Sequence, residues 1–63
     1  MYTKIKLTNG KEKSFPTSEN DSYKFYRCET YWEANELQLT LQDIGNVCHI
    51  SEDSRGWHVR VNK

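Results

Sequence analysis

Residues 30–45 read TYWEANELQLTLQDIG, and the conformation of this stretch decides the fold class. Residues 37–42 alternate between apolar and polar side chains, as a half-buried strand does. The two ends favour a helix instead. Thr30 and Glu33 match a capping box, and Gly45 follows the last apolar residue as a left-handed C-terminal glycine does. We therefore predict a helix here.

A helix over residues 31–44 has two distinct faces. Apolar residues at spacings of 3, 4 and 3 form a predicted core stripe, which consists of Ala34, Leu37, Leu41 and Ile44. A second row at spacings of 4, 3 and 4 lies away from that stripe, and we call it the helix ridge: Trp32, Glu36, Leu39 and Asp43. An exposed tryptophan between acids is typical of a protein-binding anchor. The alternative is that Trp32 packs under residues 17–22 or against a terminus, as part of the core.

The N-terminal segment predicts a hairpin. Residues 3–7 alternate in the manner of a half-buried strand, and Asn-Gly at positions 9 and 10 is a strong turn signal. A three-residue loop over 8–10, with its glycine left-handed, brings Phe15 to the apolar face of the first strand. Pro16 is then expected to close the hairpin, and the polar residues 17–22 to form an exposed loop.

Three further strands complete the predicted domain. Residues 23–28 form one strand, whose orientation stays open because both of its faces carry aromatic rings. Residues 47–50 and 57–61 form a closing hairpin around the loop 51–56, with Cys48, Ile50, Trp57, Val59 and Val61 on the buried face. The predicted order is ββ-β-α-ββ. This order indicates a single small two-layer α+β domain over 1–63, with one helix packed on a mostly antiparallel sheet.

Catalytic and metal sites are not expected. A pairing of Ile50 with Trp57 would place His49 opposite His58, but two imidazoles need a third ligand, and no Cys-x-x-Cys or His-x-x-x-His spacing occurs. No glycine-rich phosphate loop is present, and a core of this size leaves little room for an enzyme-sized pocket. We therefore predict a non-enzyme without catalytic residues, metal or cofactor. Cys28 and Cys48 are expected to be buried, reduced thiols.

The charges are divided along the chain. Residues 28–54 contain six acids and no Lys or Arg, and all nine basic residues lie outside this range, although the net charge is zero. Such a division indicates a surface organised for macromolecular partners. The leading interpretation is a small intracellular protein-interaction module, such as a regulator or inhibitor of the kind that phages and mobile elements encode. It would bind a protein with a basic surface through the helix ridge.

The alternative is a nucleic-acid-binding module. Basic and aromatic residues are interleaved on a predicted sheet face, and the candidates are Lys4, Lys6, Lys13, Tyr26, His58 and Arg60. The zero net charge weighs against this alternative, since small nucleic-acid-binding domains are usually basic. No apolar run suits a signal peptide or a membrane span, so we expect a complete, cytoplasmic chain without a membrane partner. The oligomeric state does not follow from the sequence.

Overall fold

A five-stranded antiparallel sheet carries one helix across one of its faces. The computed structural model describes all 63 residues. The elements are β1 (Tyr2–Lys6), β2 (Glu12–Glu19), β3 (Tyr23–Cys28), α1 (Tyr31–Asp43), β4 (Cys48–Asp53) and β5 (Gly56–Asn62). The spatial strand order is β1-β2-β3-β5-β4, and every neighbouring pair is antiparallel. The predicted α+β class, element order and two-layer packing are confirmed.

The first hairpin has the predicted three-residue loop. The Leu7 amide donates to the Lys11 carbonyl at 2.7 Å, which leaves residues 8–10 as the loop. Gly10 has a φ of +89°, a conformation that side chains with a Cβ rarely adopt. This register pairs Phe15 with Thr3 and makes Phe15 fully buried on the helix side of the sheet.

Strand β2 is longer than expected, which corrects the prediction that residues 17–22 form a loop. Residues 12–16 of β2 pair with β1, and residues 17–19 pair with β3. Pro16 lies where β2 changes partner, so its missing N–H removes no bond from a continuous ladder. The turn after β2 is short, and the Asn20 side chain closes it by accepting bonds from the amides of Ser22 and Tyr23, both at 2.8 Å.

Helix α1 begins at the predicted cap residue, Thr30, but only one of the two bonds of the predicted capping box forms, because the Glu33 carboxylate binds Lys13 and not the Thr30 amide. The Glu33 amide donates to the Thr30 hydroxyl oxygen at 3.2 Å, and this bond satisfies one of the free amides of the first turn. Inside the helix, Ala34, Leu37 and Leu41 are buried as predicted. Thr40 is buried beside them, donating to the Glu36 carbonyl oxygen at 2.8 Å. The Thr40 hydroxyl also accepts from the Thr8 amide at 3.1 Å, which ties the first hairpin loop to the helix.

The C-terminus of α1 is closed by a Schellman motif. The Gly45 amide donates to the Gln42 carbonyl and the Asn46 amide to the Leu41 carbonyl, each at 3.0 Å, while Gly45 has a φ of +96°. Ile44 is the C-cap residue, and its side chain is 72% exposed. The prediction that Ile44 joins the core stripe is wrong, because the backbone leaves the helical path at the cap and the 3.6-residue period no longer applies.

The closing hairpin has a different register from the predicted one. Strand β4 continues to Asp53, so Ile50 pairs with Val59, and Glu52 pairs with Trp57. This is a shift of two residues, which preserves the alternation of faces, so the predicted buried face is retained. The shift places His49 opposite Arg60 rather than opposite His58, and the predicted histidine pair does not form.

Candidate functional site

The helix ridge lies on the outer side of α1. Trp32 is 75% exposed and Leu39 is 47% exposed, and Asp43 also faces solvent. Glu36 is half-buried, and its carboxylate accepts a bond from the Thr8 hydroxyl at 3.2 Å. The structure therefore brings the four predicted protein-binding residues to one side of the helix, with two large apolar side chains next to acids.

Aromatic contacts restrain Trp32, which lies at the N-terminal end of the helix ridge. The ring of Trp32 meets that of Tyr31 edge-on at a centroid distance of 5.8 Å, and Tyr31 meets Trp57 edge-on at 5.2 Å. Trp57 in turn packs against the core. This row of rings restricts the position of the Trp32 side chain while most of its surface stays open to solvent.

The ridge is also negatively charged. Neither Glu36 nor Asp43 has a cation within ion-pair distance. By contrast, Glu33 in the first turn of α1 forms an ion pair with the ammonium group of Lys13 on β2. This pairing raises the pKa of Lys13, chiefly through the hydrogen bond. Two unpaired carboxylates beside exposed apolar groups favour a partner surface that is basic and partly apolar.

The second surface is the side of the sheet that α1 does not cover, and we call it the open sheet face. At its centre, β3 and β5 present five partly exposed side chains: Tyr23, Phe25, Arg27, His58 and Arg60. Phe25 lies opposite Arg60, and Arg27 lies opposite His58. The Arg60 guanidinium sits 4.6 Å from the centre of the Tyr23 ring, a cation–π contact. Lys4 and Lys6 of β1 alternate to the same side of the sheet.

Two of the predicted nucleic-acid candidates lie on the other side of the sheet, which corrects that site. Tyr26 is buried against Phe15, with the rings edge-on at 6.5 Å. Lys13 is directed toward the helix, where it binds Glu33. For Tyr26 the physical reason is the orientation of β3: Tyr26 pairs with the buried Val59, so Phe25 takes the open side. For Lys13 it is the register of the first hairpin, which pairs Lys13 with Ile5, a residue that packs against the core.

The sequence does not predict a cluster of charged groups that lies at one end of the open sheet face. Arg27 binds Asp53 with two hydrogen bonds, of 3.1 and 3.0 Å, and His58 Nδ1 lies 3.0 Å from the same carboxylate. The Arg27 guanidinium, followed by the Arg55 amide at 2.8 Å, holds the pKa of Asp53 well below its usual range. Phe25 joins these residues in lining a groove of about 380 Å³. No local pattern signals the cluster, because Arg27 and Asp53 are 26 positions apart.

The thirteen-residue helix α1 falls short of the length and apolar character that a membrane-crossing helix needs. Comparison with protein-family models, with curated proteins and with solved structures found no match to this chain.

Proposed function

We propose that this chain is a protein-interaction module that binds a basic protein surface through the helix ridge. It would act as a regulator or inhibitor by occupying that surface. The proposal rests on one observation: the Trp32 side chain is 75% exposed although it lies on a well-formed helix. A tryptophan offers 150–250 Å² of surface for burial, and such residues dominate interface energetics when they enter a partner's pocket.

The size and charge of the molecule support the same proposal. A standard interface covers about 800 Å² per partner, which is roughly a fifth of the 4322 Å² accessible surface of this chain. Trp32 and Leu39 would form the apolar centre, while Glu36 and Asp43 would steer the partner and raise the association rate.

The test begins with affinity capture from the native host, followed by binding kinetics on the purified captured protein. Trp32→Ala should weaken binding by about 30-fold or more, the factor that corresponds to a hot spot of about 2 kcal/mol. The melting temperature should change little, because the side chain is mostly exposed. Glu36→Gln combined with Asp43→Asn should slow association and reduce its salt dependence, since the charges act mainly during encounter.

Tyr2→Ala is the matched control. Tyr2 is 71% exposed, nearly as much as Trp32, but it lies on β1 and belongs to the open sheet face. This variant removes an equally accessible ring and should retain the wild-type affinity. Equal losses for Trp32→Ala and Tyr2→Ala, or an unchanged affinity for Trp32→Ala, would contradict the proposal.

A further inference from the structure

The open sheet face has a composition unlike that of the helix ridge. Its central strands present the rings of Tyr23 and Phe25 side by side, with centroids 6.1 Å apart, and His58 stands edge-on to Phe25 at 5.9 Å. Phe25 is a wholly apolar ring that no second layer covers and that neighbouring side chains leave partly exposed. The planes of Tyr23 and Phe25 are tilted by 55° to each other, so the two rings do not form one flat platform, but an accessible ring on this face is suited to stacking with a planar group.

The charge of this face is opposite to that of the ridge. Strand alternation and the β4–β5 turn bring five cations to it, namely Lys4, Lys6, Arg27, Arg55 and Arg60, against the two carboxylates Glu12 and Asp53. Lys6, Arg55 and Arg60 have no carboxylate within ion-pair distance. The zero net charge of the chain therefore conceals a positive face and a negative face.

Arg60 is available for a further contact. Its guanidinium is stacked on Tyr23, and its buried Nε has no hydrogen-bond acceptor. A ligand would not reach the enclosed Nε, but Arg60 is only partly buried and no carboxylate lies within ion-pair distance, so its terminal nitrogens can donate to a phosphate. The Arg55 side chain also forms no ion pair. It lines the same groove as Phe25 and His58.

We propose that the open sheet face binds single-stranded nucleic acid, with a base stacked on Phe25 and phosphates held by Lys6, Arg55 and Arg60, whose guanidinium is oriented by its contact with Tyr23. Strand β3, which carries Phe25, has six residues and spans roughly 20 Å at about 3.3 Å per residue, enough for on the order of four nucleotides. The cations alone would suit any polyanion. The partly exposed ring of Phe25 selects a ligand with exposed bases, because the bases of a duplex are already stacked and those of a single strand are not. This proposal uses a different face from the helix ridge and stands independently of it.

The test is a fluorescence anisotropy titration of labelled dT12 and rU12 with the full chain at 50 and 200 mM salt. Contacts to three to five phosphates predict a roughly 20- to 100-fold loss of affinity between these concentrations. Phe25→Leu keeps an apolar side chain without a ring and should weaken binding about 5-fold or more, with the salt dependence unchanged. Arg55→Gln should reduce the slope of log K against log salt by about 0.7. Arg55 lies in an exposed turn, so this variant tests the proposal even if Phe25→Leu fails to fold.

Lys13→Gln is the control for charge, since it removes one positive charge from the helix side of the sheet. It should leave the affinity unchanged, and so should Trp32→Ala, which separates this proposal from the helix ridge. Four results would overturn the proposal: no binding at 50 mM salt, a loss in Lys13→Gln equal to that in Arg55→Gln, equally tight binding of a duplex of the same length, or equal competition by a poly-glutamate peptide. The last result would assign the face to an acidic protein.

Discussion

Replacing Leu37 and Leu39 separately tests the orientation of α1, on which the helix ridge depends. The two residues are two positions apart, yet Leu37 is fully buried and Leu39 is 47% exposed. Truncating a buried leucine to alanine removes transfer free energy and leaves a cavity, at a cost of about 3–5 kcal/mol. A domain of this size has a total stability of roughly 3–9 kcal/mol. Leu37→Ala should therefore remove a third or more of the stability.

Leu39→Ala should cost less than about 1 kcal/mol, because half of the side chain is already in water and no closed cavity forms. Urea and thermal unfolding followed by circular dichroism would measure both variants. At about 4–8 °C per kcal/mol for a small domain, Leu37→Ala should lower the melting temperature by about 12 °C or more, and Leu39→Ala by less than about 8 °C.

A third variant keeps the comparison quantitative if Leu37→Ala does not fold. Leu37→Met conserves volume and should cost less than about 1.5 kcal/mol. Equal losses in Leu37→Ala and Leu39→Ala, or a larger loss in Leu39→Ala, would refute the orientation of the helix. Trp32 would then not face solvent, and the protein-binding proposal would lose its anchor.

Two glycines and one cysteine give further predictions. Gly45→Ala should cost about 1 kcal/mol, because its φ of +96° is unfavourable for alanine while no atom lies within 4 Å of the new Cβ. Gly56→Ala should cost more, since its Cβ would lie 3.2 Å from the Cys28 carbonyl oxygen, and thermal melts that reverse this ranking would contradict the hairpin geometry. Burial, followed by the nearby Glu33 charge, raises the pKa of Cys28 from 9.0 to about 12. Below pH 9 the thiol is protonated in both the folded and the unfolded state. As the pH rises from 9 toward 12, the thiol ionises only in the unfolded state, so the free energy of unfolding falls, by about 1.4 kcal/mol at pH 10. Urea unfolding at pH 8 and 10 should show a smaller loss in Cys28→Ala than in the wild type, and an equal loss would argue against this titration.

The elements that are specified by residues close together in the chain could be predicted from the sequence. Thr30, Glu33 and Gly45 mark both ends of α1, and the cap bonds join residues no more than five positions apart. The left-handed glycine of the first hairpin likewise determines which face Phe15 occupies. The exposure of the helix ridge follows from the same helical period, and the structure places those four side chains where the period predicts.

The open sheet face could be predicted only in part. Lys4, Lys6, His58 and Arg60 lie on this face, as strand alternation predicts, whereas Tyr26 and Lys13 lie on the other side of the sheet. Strand β3 has aromatic rings on both faces, so its alternation is equally compatible with either orientation. Only its pairing with β5 turns Tyr26 inward and leaves Phe25 outside.

The sequence by itself determined the helix, its caps, the first turn and the order of the elements. Tertiary structure decided the orientation of β3, the change of partner at Pro16 and the register that brings Arg27 to Asp53. The physical reason is the range of the interactions involved. Caps and tight turns join neighbours in the chain, whereas the face that a strand turns to the core depends on packing against residues far away in the sequence. Turning β3 over would expose Tyr26, which packs against Phe15, and would bury the charge of Arg27 together with Phe25.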